Sequence, residues 1–559
     1  MASFTKKIFG LAGVATVFAG MAFGQATCST PASNANFVPV EATAAQVAQL
    51  TFTCTGATAG ALINVQVFVS PALPITSKVT ASSSSTTEAV ATVKAVAGAP
   101  AAGDVGVQGI LTGTSLTFNG ITLLGGANVI TISNVRVNPS SLSVGTGIPP
   151  AITETAFISG AGATPVALGS TTVAFAQSGI NAKSYKGGGA ISLTTGVLTS
   201  PTAGATAFVI CNKYNPATSI TGSMAQIIQI NENFVSAFKA ASEVSQVSAY
   251  TTAPATATAI SNAVNTNDRL KISFSGVPAG VTLYVPTATI PSTAGAATIK
   301  ATTSETGAFA AYSNVTSTSI VPSTTFVYGG GVAAVPVTSG AGSVVFDVTL
   351  EDVNNLDTFN IPVFIGTAAN AVPGSSTPYT VAVSYAPVGS TQIPNFVVGA
   401  STTSIAGSVF NTCTTSLLFP FVTNQLGFDT GLAIANTSTD PFGSSNGATN
   451  QAGTCSLNFY GSGAPSPANV TTLNVPTGTV YTQVLSGVAA GFQGYLIAQC
   501  NFQFAHGFAF ITNGVGVNGG LSQGYLAGVI PDVNQVGRGA NGPGAPALVV
   551  NGLGEVLGN

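Results

Sequence analysis

The sequence predicts an all-β fold made of tandem, Ig-like β-sandwich domains with at most short helices. Glycine (65 residues) and proline (30 residues) interrupt the chain at short intervals, as is typical of many short strands joined by turns. Apolar residues also recur with a period of two, which indicates half-buried strands. In segment 62–70 one face carries Ile63, Val65, Val67 and Val69. Segment 343–350 repeats the pattern, with Phe346, Val348 and Leu350 predicted to face in and Asp347 and Thr349 to face out.

One segment has helical spacing instead. After a strand predicted at 226–230, residues 231–241 place Phe234, Val235 and Phe238 three to four residues apart, behind asparagines that can cap a helix. We therefore expect a short helix there, packed on a sheet.

The N-terminus has the pattern of a secretory signal peptide. Lys6 and Lys7 precede an apolar, Gly/Ala-rich stretch that ends in small residues at 22–26. A membrane-spanning helix is the competing interpretation, but small residues dilute the stretch and a cleavage pattern follows it. No later apolar run is long enough to span a bilayer. We expect residues 1–24 to be removed and the mature chain to be secreted, extracellular or at the cell surface.

The length of the mature chain suits about three domains. Composition and turn-rich stretches place an N-terminal β domain at 25–195, a middle β-sandwich at 196–404 and a C-terminal β-sandwich at 405–535. A Gly/Pro-rich tail at 536–559 carries no pattern of a membrane anchor.

Charged residues make up only 5% of the chain. Without Lys6 and Lys7, 11 of the 13 basic side chains remain against 16 acidic ones, a balance that argues against binding to nucleic acid. Weak repulsion between copies favours self-association or binding to other surface components. Alternatively, Ser, Thr and Asn replace charge as solubilising groups, and both explanations can hold together. Between Val397 and Phe428 no side chain is charged.

Six cysteines in an exported chain predict disulfides, although six allow fifteen pairings. None of them is in a C-x-x-C motif and the chain has one histidine, so a zinc site is not expected. Lipidation of Cys28 is disfavoured because Gln25-Ala26-Thr27 lacks the Leu-x-Gly/Ala that such a site requires. The pairs that we favour are Cys28–Cys54 and Cys455–Cys500, with Cys211–Cys413 as the remainder.

The C-terminal domain shows the longest alternation. From Leu496 to Phe510 every second residue is apolar or histidine, with a bend expected near 505–507. Two further apolar phases contain Cys455, Leu457 and Phe459, and Cys413, Leu417, Phe419 and Phe421. We expect all these residues, with their cysteines, to face a single sandwich core.

Four motifs of this domain are LLFPFVTN (417–424), GFDTGLAIANTS (427–438), GFQGY (491–495) and FAHGFAF (504–510). They resemble the C-terminal module of secreted, multi-domain bacterial surface proteins. The resemblance covers residues 413–532, and more loosely 228–239 and 269–285. It implies an extracellular β-sandwich and brings no activity with it.

Motifs that could carry catalysis are weak. Gly520-Leu521-Ser522-Gln523-Gly524 matches G-x-S-x-G, but a nucleophile elbow needs a following helix and a later histidine, and His506 comes earlier. The G-x-G-x-x-G match at 514–519 leads into more glycine and not into a helix. Both are expected to be loops, and His506 on an aromatic-rich face is expected to be structural.

One acidic cluster could bind calcium, since Ca²⁺ prefers oxygen ligands. Its carboxylates are Asp347, Glu351, Asp352 and Asp357. The EF-hand pattern fails because Leu356 occupies a ligand position, so a solvated turn is the simpler interpretation. No other cofactor is expected.

Three functions remain open. The first is a structural or adhesive cell-surface protein that self-assembles, and exposed edge strands would favour it. The second is a ligand-binding module, for instance for glycans, and an exposed aromatic platform would favour it. The third is a hydrolase, which would need carboxylates across a groove; the absence of tryptophan weakens a glycosidase interpretation. We therefore expect a protein that is not an enzyme.

Overall fold

The computed structural model is all-β, as the sequence predicts. The only helical pieces among the described residues are α1, Ile220–Ser223, and a 3₁₀ turn at Leu485–Gly487. The predicted signal peptide and tail lie outside the described part of the chain. The structure describes residues 25–81, 85–96, 106–145, 147–187, 190–191, 196–216, 220–241, 243, 266–293, 296–312, 331–368, 371–397, 404–441, 448, 450–514 and 520–530.

The first sheet has eleven strands. The strands up to residue 177 are β1 (Thr27–Cys28), β2 (Asn36–Pro39), β3 (Ala45–Gln46), β4 (Leu50–Ala57), β5 (Leu62–Ser70), β6 (Val79–Ala81), β7 (Thr86–Ala95), β8 (Val107–Thr112), β9 (Ser115–Thr122), β10 (Gly126–Ser133), β11 (Arg136–Val137), β12 (Ala151–Ser159) and β13 (Val166–Gln177). Their order in the sheet is β1-β4-β10-β7-β8-β9-β5-β12-β13-β2, with β6 beside β7, while β3 and β11 pair separately. The main chain of Ala26 hydrogen-bonds to Gly162 and Thr164, at 2.9 and 3.1 Å, so the β1 edge meets the β12–β13 hairpin.

The middle module contains two main sheets. Its elements are β14 (Ile180–Lys186), β15 (Ala190–Ile191), β16 (Leu198–Thr199), β17 (Phe208–Val209), β18 (Met224–Glu232), β19 (Arg269–Ser275), β20 (Thr282–Pro286), β21 (Ile290–Pro291), β22 (Thr298–Thr302), β23 (Val332–Ala334), β24 (Val337–Thr338), β25 (Ala341–Leu350), β26 (Thr358–Gly366), β27 (Thr380–Ala386), β28 (Ile405–Ala406) and β29 (Phe410–Asn411). A five-stranded sheet has the order β14-β18-β26-β20-β23, and a seven-stranded sheet has the order β21-β22-β25-β19-β27-β28 with β24 beside β25. Strand β26 is buried on both faces, which explains its almost unbroken apolar sequence.

The C-terminal module is a sandwich of five and four strands. It contains β30 (Thr415–Thr423), β31 (Asp429–Asn436), β32 (Cys455–Ser462), β33 (Asn469–Thr471), β34 (Val480–Val484), β35 (Gln493–Cys500), β36 (Ala505–Thr512), β37 (Ser522–Leu526) and β38 (Gly528–Ile530). The sheets have the orders β33-β32-β35-β30-β38 and β34-β31-β36-β37. Their inner faces enclose a core that is separate from the core of residues 26–410.

Two of the predicted domain boundaries differ from the sheets. Strand β14 lies in the predicted N-terminal domain but pairs with β18 of the middle module. Strands β28 and β29 lie in the predicted C-terminal domain but pair with β27 and β17. Composition shifts mark loops, whereas strand pairing is decided by contacts between residues far apart in sequence. One apolar core consequently runs through the first two modules.

The helix predicted at 231–241 is wrong. Strand β18 continues to Glu232, and the following residues form turns in which Ser236 has a φ of +64°. A carboxylate oxygen of Glu232 accepts a hydrogen bond from the main-chain N–H of Phe238, at 3.0 Å. Phe234 and Phe238 are buried as the pattern required, but turns and not a helix bring them there.

Across the described residues, helices are too short to span a bilayer.

Three disulfides staple the chain, and they join the three pairs named from the sequence. Cys28 lies directly opposite Cys54 across β1 and β4, and Cys455 lies directly opposite Cys500 across β32 and β35. The third pair follows β17 and β29 and packs in a small apolar cluster of its own. Cys413 therefore does not face the C-terminal core, contrary to expectation.

Candidate functional site

The C-terminal module is almost without charge. Residues 405–535 contain no lysine or arginine, and their only acidic residues are Asp429, Asp440 and Asp532. Surface charges normally keep β-sheets of different copies apart. Uncharged groups therefore form most of the surface of this module. Three features of that surface could take part in binding.

The first feature arises because the alternation of inward and outward side chains shifts by one residue just before β36. Leu496, Ala498 and Cys500 face the core, but Phe504 has a φ of +59°, which turns the chain. The residues that then face inward are small, and Phe508 and Phe510 point outward. The sequence prediction that both rings face the core is therefore wrong, because a single left-handed residue shifts the alternation by one.

Strand register places an apolar surface on the outside of the four-stranded sheet. Val480 and Val484 of β34 and Leu526 of β37 share this side with Phe508 and Phe510, and all five side chains are exposed. We call this surface the Phe508 face. Its floor consists of residues with little or no side chain, namely Gly431, Ala433, Ala435 and Gly524.

Both edges of this sheet are uncharged. The edge strands are β34, with the sequence VYTQV, and β37, with the sequence SQGYL. Natural edge strands are usually protected by lysine, proline or a bulge. Neither strand contains a lysine or a proline, and in the described part of the chain each pairs on one side only, so both offer main-chain groups to another strand.

The second feature is a groove of about 520 Å³ at one end of the sandwich. We call it the Gln493 groove. Among the described residues that line it, none carries a charge. Both sheets contribute to it, since Thr423 pairs in register with Gln493 and Ile511 with Gln523. The β30–β31 turn adds Gln425, whose Nε2 donates a hydrogen bond to the carbonyl of Gly491 at 2.7 Å, and Leu426, which is 92% exposed with a φ of +54°.

The third feature is a strip of exposed aromatic rings beside that groove. A β-bulge places both Pro420 and Phe421 of β30 opposite Tyr495 of β35, and it turns Phe421 outward to 46% exposure. The prediction that Phe421 faces the core is wrong for this reason. Tyr495 stacks on Tyr460 of β32, with ring centroids 5.0 Å apart and an angle of 12° between the rings. We call these three rings the aromatic strip.

A hydrogen bond ties the two sheets together next to the groove. Tyr525 of β37 donates its hydroxyl to the carbonyl of Phe421 in the bulge. Burial raises the pKa of Tyr525 to about 12, so the hydroxyl keeps its proton at any physiological pH. The four-stranded sheet is thereby linked to the bulge that carries Phe421.

The four proposed calcium ligands have different surroundings. Asp347 is buried in an ion pair with Arg269, at 2.7 Å, and not on the outer face that the alternation predicted. Asp352 lies on an exposed turn and accepts hydrogen bonds from the main-chain N–H groups of Ala296 and Asn354. These two carboxylates are therefore already occupied by groups of the chain itself.

The other two carboxyls are buried. Burial, assisted by the neighbouring carboxyl of Glu243, raises the pKa of Glu351 to about 9, which favours its protonated form at neutral pH. Burial also raises the pKa of Asp357, whose main-chain N–H donates to Glu232 at 2.9 Å. Within the described ranges, no three His, Cys, Asp or Glu side chains are close enough to hold a metal ion.

The serine motif does not form a nucleophile elbow. Ser522 begins strand β37 instead of standing at a strand-to-helix turn, and its hydroxyl donates a hydrogen bond to the hydroxyl oxygen of Thr512 at 2.9 Å. His506 lies in the neighbouring strand, six residues from the register partner of Ser522, or about 20 Å along the strand. The pair cannot exchange a proton. Most of the G-x-G-x-x-G match lies outside the described residues.

Sequence reasoning missed the residues that make these surfaces. Gln493, Gln523 and Tyr495 lack a motif, and their importance arises only from strand register. Two signals were present in the sequence: the Pro420-Phe421 pair in a strand, which is compatible with a bulge, and the uncharged stretch around them.

No protein-family model and no curated protein sequence matches the chain. Among solved structures, the major pilin subunit of Bacillus cereus aligns at 8% identity and a TM-score of 0.18, over 79% of this chain and 88% of that chain. A DUF4466 family protein from Parabacteroides merdae aligns at 9% identity and a TM-score of 0.20, over 61% and 99%. The CupB6 tip adhesin from Pseudomonas aeruginosa aligns at 8% identity and a TM-score of 0.12, over 69% and 99%. TM-scores of this size do not establish a shared fold.

Proposed function

We propose that the protein is an extracellular structural protein whose copies associate through the C-terminal module. The observation that carries this proposal is the Phe508 face, a row of exposed apolar side chains on a sheet with two uncharged edges. Contiguous exposed apolar surface in a soluble chain marks an interaction site. A module without basic residues offers little repulsion or ionic steering, so apolar and main-chain contacts dominate.

The shape of the face supports a second copy as the partner. Phe508 and Phe510 form one ridge, which continues into the half-buried His506, and Val480, Thr482 and Val484 form another. The small residues of β31 are the furrow between the two ridges. A two-fold axis parallel to the strands, midway between the Phe508–Phe510 ridge and the furrow, places that ridge of each copy in the furrow of the other. Such packing of two sheets face to face is common in β-sandwiches.

Two properties support a position outside the cell. Disulfides persist in oxidising compartments, and all six cysteines are paired. The predicted signal peptide would deliver the chain to that compartment. Few charged ligands or cofactors could be held by a module that contains three carboxylates, one histidine and no lysine or arginine. These properties suit a structural role better than catalysis.

Light scattering of the mature chain over a wide concentration range, at low and high salt, tests the proposal. We expect oligomers whose size rises with concentration and changes little with salt, because the contacts are not ionic. Phe508→Glu should shift the protein to monomer. Leu473→Glu, at a residue that is 82% exposed in the same module but outside the four strands of the face, should not. A monomer at every concentration, or equal assembly of Phe508→Glu, would refute the proposal.

A further inference from the structure

The Gln493 groove has the size and openness of a ligand site. Its volume of about 520 Å³ lies within the range of known small-molecule sites, which is roughly 300–1,000 Å³. Its lining combines apolar side chains such as Phe421 and Ile511 with three glutamine side chains. An exposed leucine in a left-handed conformation, Leu426, stands at its rim, and such strained residues cluster at functional sites.

The polar groups of the groove favour a neutral ligand rich in hydroxyls. The side-chain amides of Gln493 and Gln523 each offer two donor hydrogens and an accepting oxygen. A hydroxyl group likewise both donates and accepts, so amides satisfy it fully. A carboxylate or ammonium ligand would find no opposite charge here, and its desolvation would remain uncompensated.

The aromatic strip extends this chemistry beyond the groove. Tyr495 lies on the same face of β35 as Gln493, two residues or about 7 Å further along the strand. Phe421 lines the groove itself, and Tyr460 stacks on Tyr495. The rings are exposed and apolar, so a ligand with alternating hydroxyl edges and C–H faces could bind amides and rings together.

We infer that the Gln493 groove and the aromatic strip form a binding site for neutral oligosaccharides. One sugar unit occupies the groove, where Gln493 and Gln523 bind its hydroxyls. The next units run along the strip, with their C–H faces on Phe421, Tyr495 and Tyr460. The site involves other residues than the Phe508 face, so it does not rest on the proposed self-association.

A peptide is the main competing ligand. It would add to the outer edge of β37, which pairs with no other strand among the described residues, through main-chain hydrogen bonds, as in β-augmentation. That mode needs neither the glutamine amides nor the rings of the five-stranded sheet. The positions of Gln493 and of the aromatic strip in that sheet therefore favour the sugar.

Calorimetric titration of the full mature chain tests the inference. The probes are hexasaccharides of glucose in α-1,4, β-1,3 and β-1,4 linkage and of N-acetylglucosamine, the corresponding monosaccharides, a galacturonate hexamer and an extended apolar peptide. We expect at least one neutral hexasaccharide to bind, and more tightly than its monosaccharide. Loss of one amide contact in Gln493→Leu should weaken binding roughly tenfold.

Matched variants separate the groove from the strip. Gln499→Leu changes an exposed glutamine on the same face of β35, outside the groove, and should leave binding unchanged. Tyr495→Ala should weaken binding of the hexasaccharide and leave binding of the monosaccharide unchanged. The inference is overturned if no neutral hexasaccharide binds, if only the galacturonate or the peptide binds, or if Gln493→Leu and Gln499→Leu behave alike. Circular dichroism confirms that each variant is folded.

Discussion

Gly524 lies beneath the ring of Phe508, so closely that a Cβ at position 524 would come within 2.5 Å of the ring's Cζ atom. The alternation of β36 puts the ring on the outer face, and the missing side chain at Gly524 leaves the space that the ring occupies. The two residues are not direct register partners, since Phe508 pairs with Leu526 and Gly524 with Phe510. The ring therefore reaches diagonally across the sheet.

Gly524→Ala should displace the Phe508 ring and weaken self-association while leaving the fold intact. The added methyl group meets a side chain that can rotate toward solvent and not the main chain, so the loss of stability should be small. Gly528→Ala provides the control, because nothing lies within 4 Å of a Cβ at that position. Light scattering and thermal unfolding of both variants test this. Unchanged assembly of Gly524→Ala would show that the ring position does not matter.

The alternation of apolar residues predicts a strand well only where the strand stays regular. Ile63, Val65 and Val67 are buried as predicted, because β5 keeps a regular alternation over these residues. In the C-terminal module, Phe504 and the bulge at Pro420-Phe421 each reset the phase, and neither event leaves a periodic signal. The outward direction of these rings therefore could not be predicted from the alternation alone.

Asp347 illustrates a second limit. The alternation in β25 assigns it to solvent, but the opposite face of the strand is covered by the loop at 304–307, whose carbonyls accept hydrogen bonds from Arg269. The aspartate and the arginine are register partners on β25 and β19 and are buried together. A charged residue in a strand is assigned to solvent when no partner for it is known. The alternation in β25 does not reveal the partner of Asp347, because Arg269 lies 78 residues away in the sequence.

Asp347→Asn should destabilise the middle module strongly. It leaves the Arg269 guanidinium buried without its counter-charge, a change that typically costs about 3–5 kcal/mol. Glu305→Gln breaks the half-buried pair with Lys271 and should cost only about 0–1 kcal/mol. Urea unfolding of the two variants beside the wild-type chain measures the difference. Equal losses would show that burial does not decide the strength of these pairs.

Removal of the Cys455–Cys500 bridge should destabilise the C-terminal module alone. The bridge closes a long loop within one sheet, and a disulfide of this kind contributes about 2–4 kcal/mol. Because the core of this module is separate from the core of residues 26–410, calorimetry of the double variant Cys455→Ala/Cys500→Ala should show one transition shifted and the other fixed. The double variant Cys28→Ala/Cys54→Ala should do the reverse. A single transition that moves in both variants would contradict the separation.

Glu154 should make the protein lose stability as the pH rises. It lies on β12 with its side chain fully buried, and neither carboxyl oxygen has a hydrogen-bond partner among the described residues. Burial raises its pKa from 4.5 to about 8. Below pH 4.5 the carboxyl is protonated in both the folded and the unfolded chain, whereas between pH 4.5 and 8 it ionises only on unfolding, which favours the unfolded chain increasingly.

Glu154→Gln, neutral and of the same shape, should remove this contribution. Thermal unfolding from pH 4 to 8.5 should therefore show a shallower fall of the melting temperature for the variant, with the largest gain at the alkaline end. Parallel curves for the two proteins would mean that Glu154 is ionised in the folded chain.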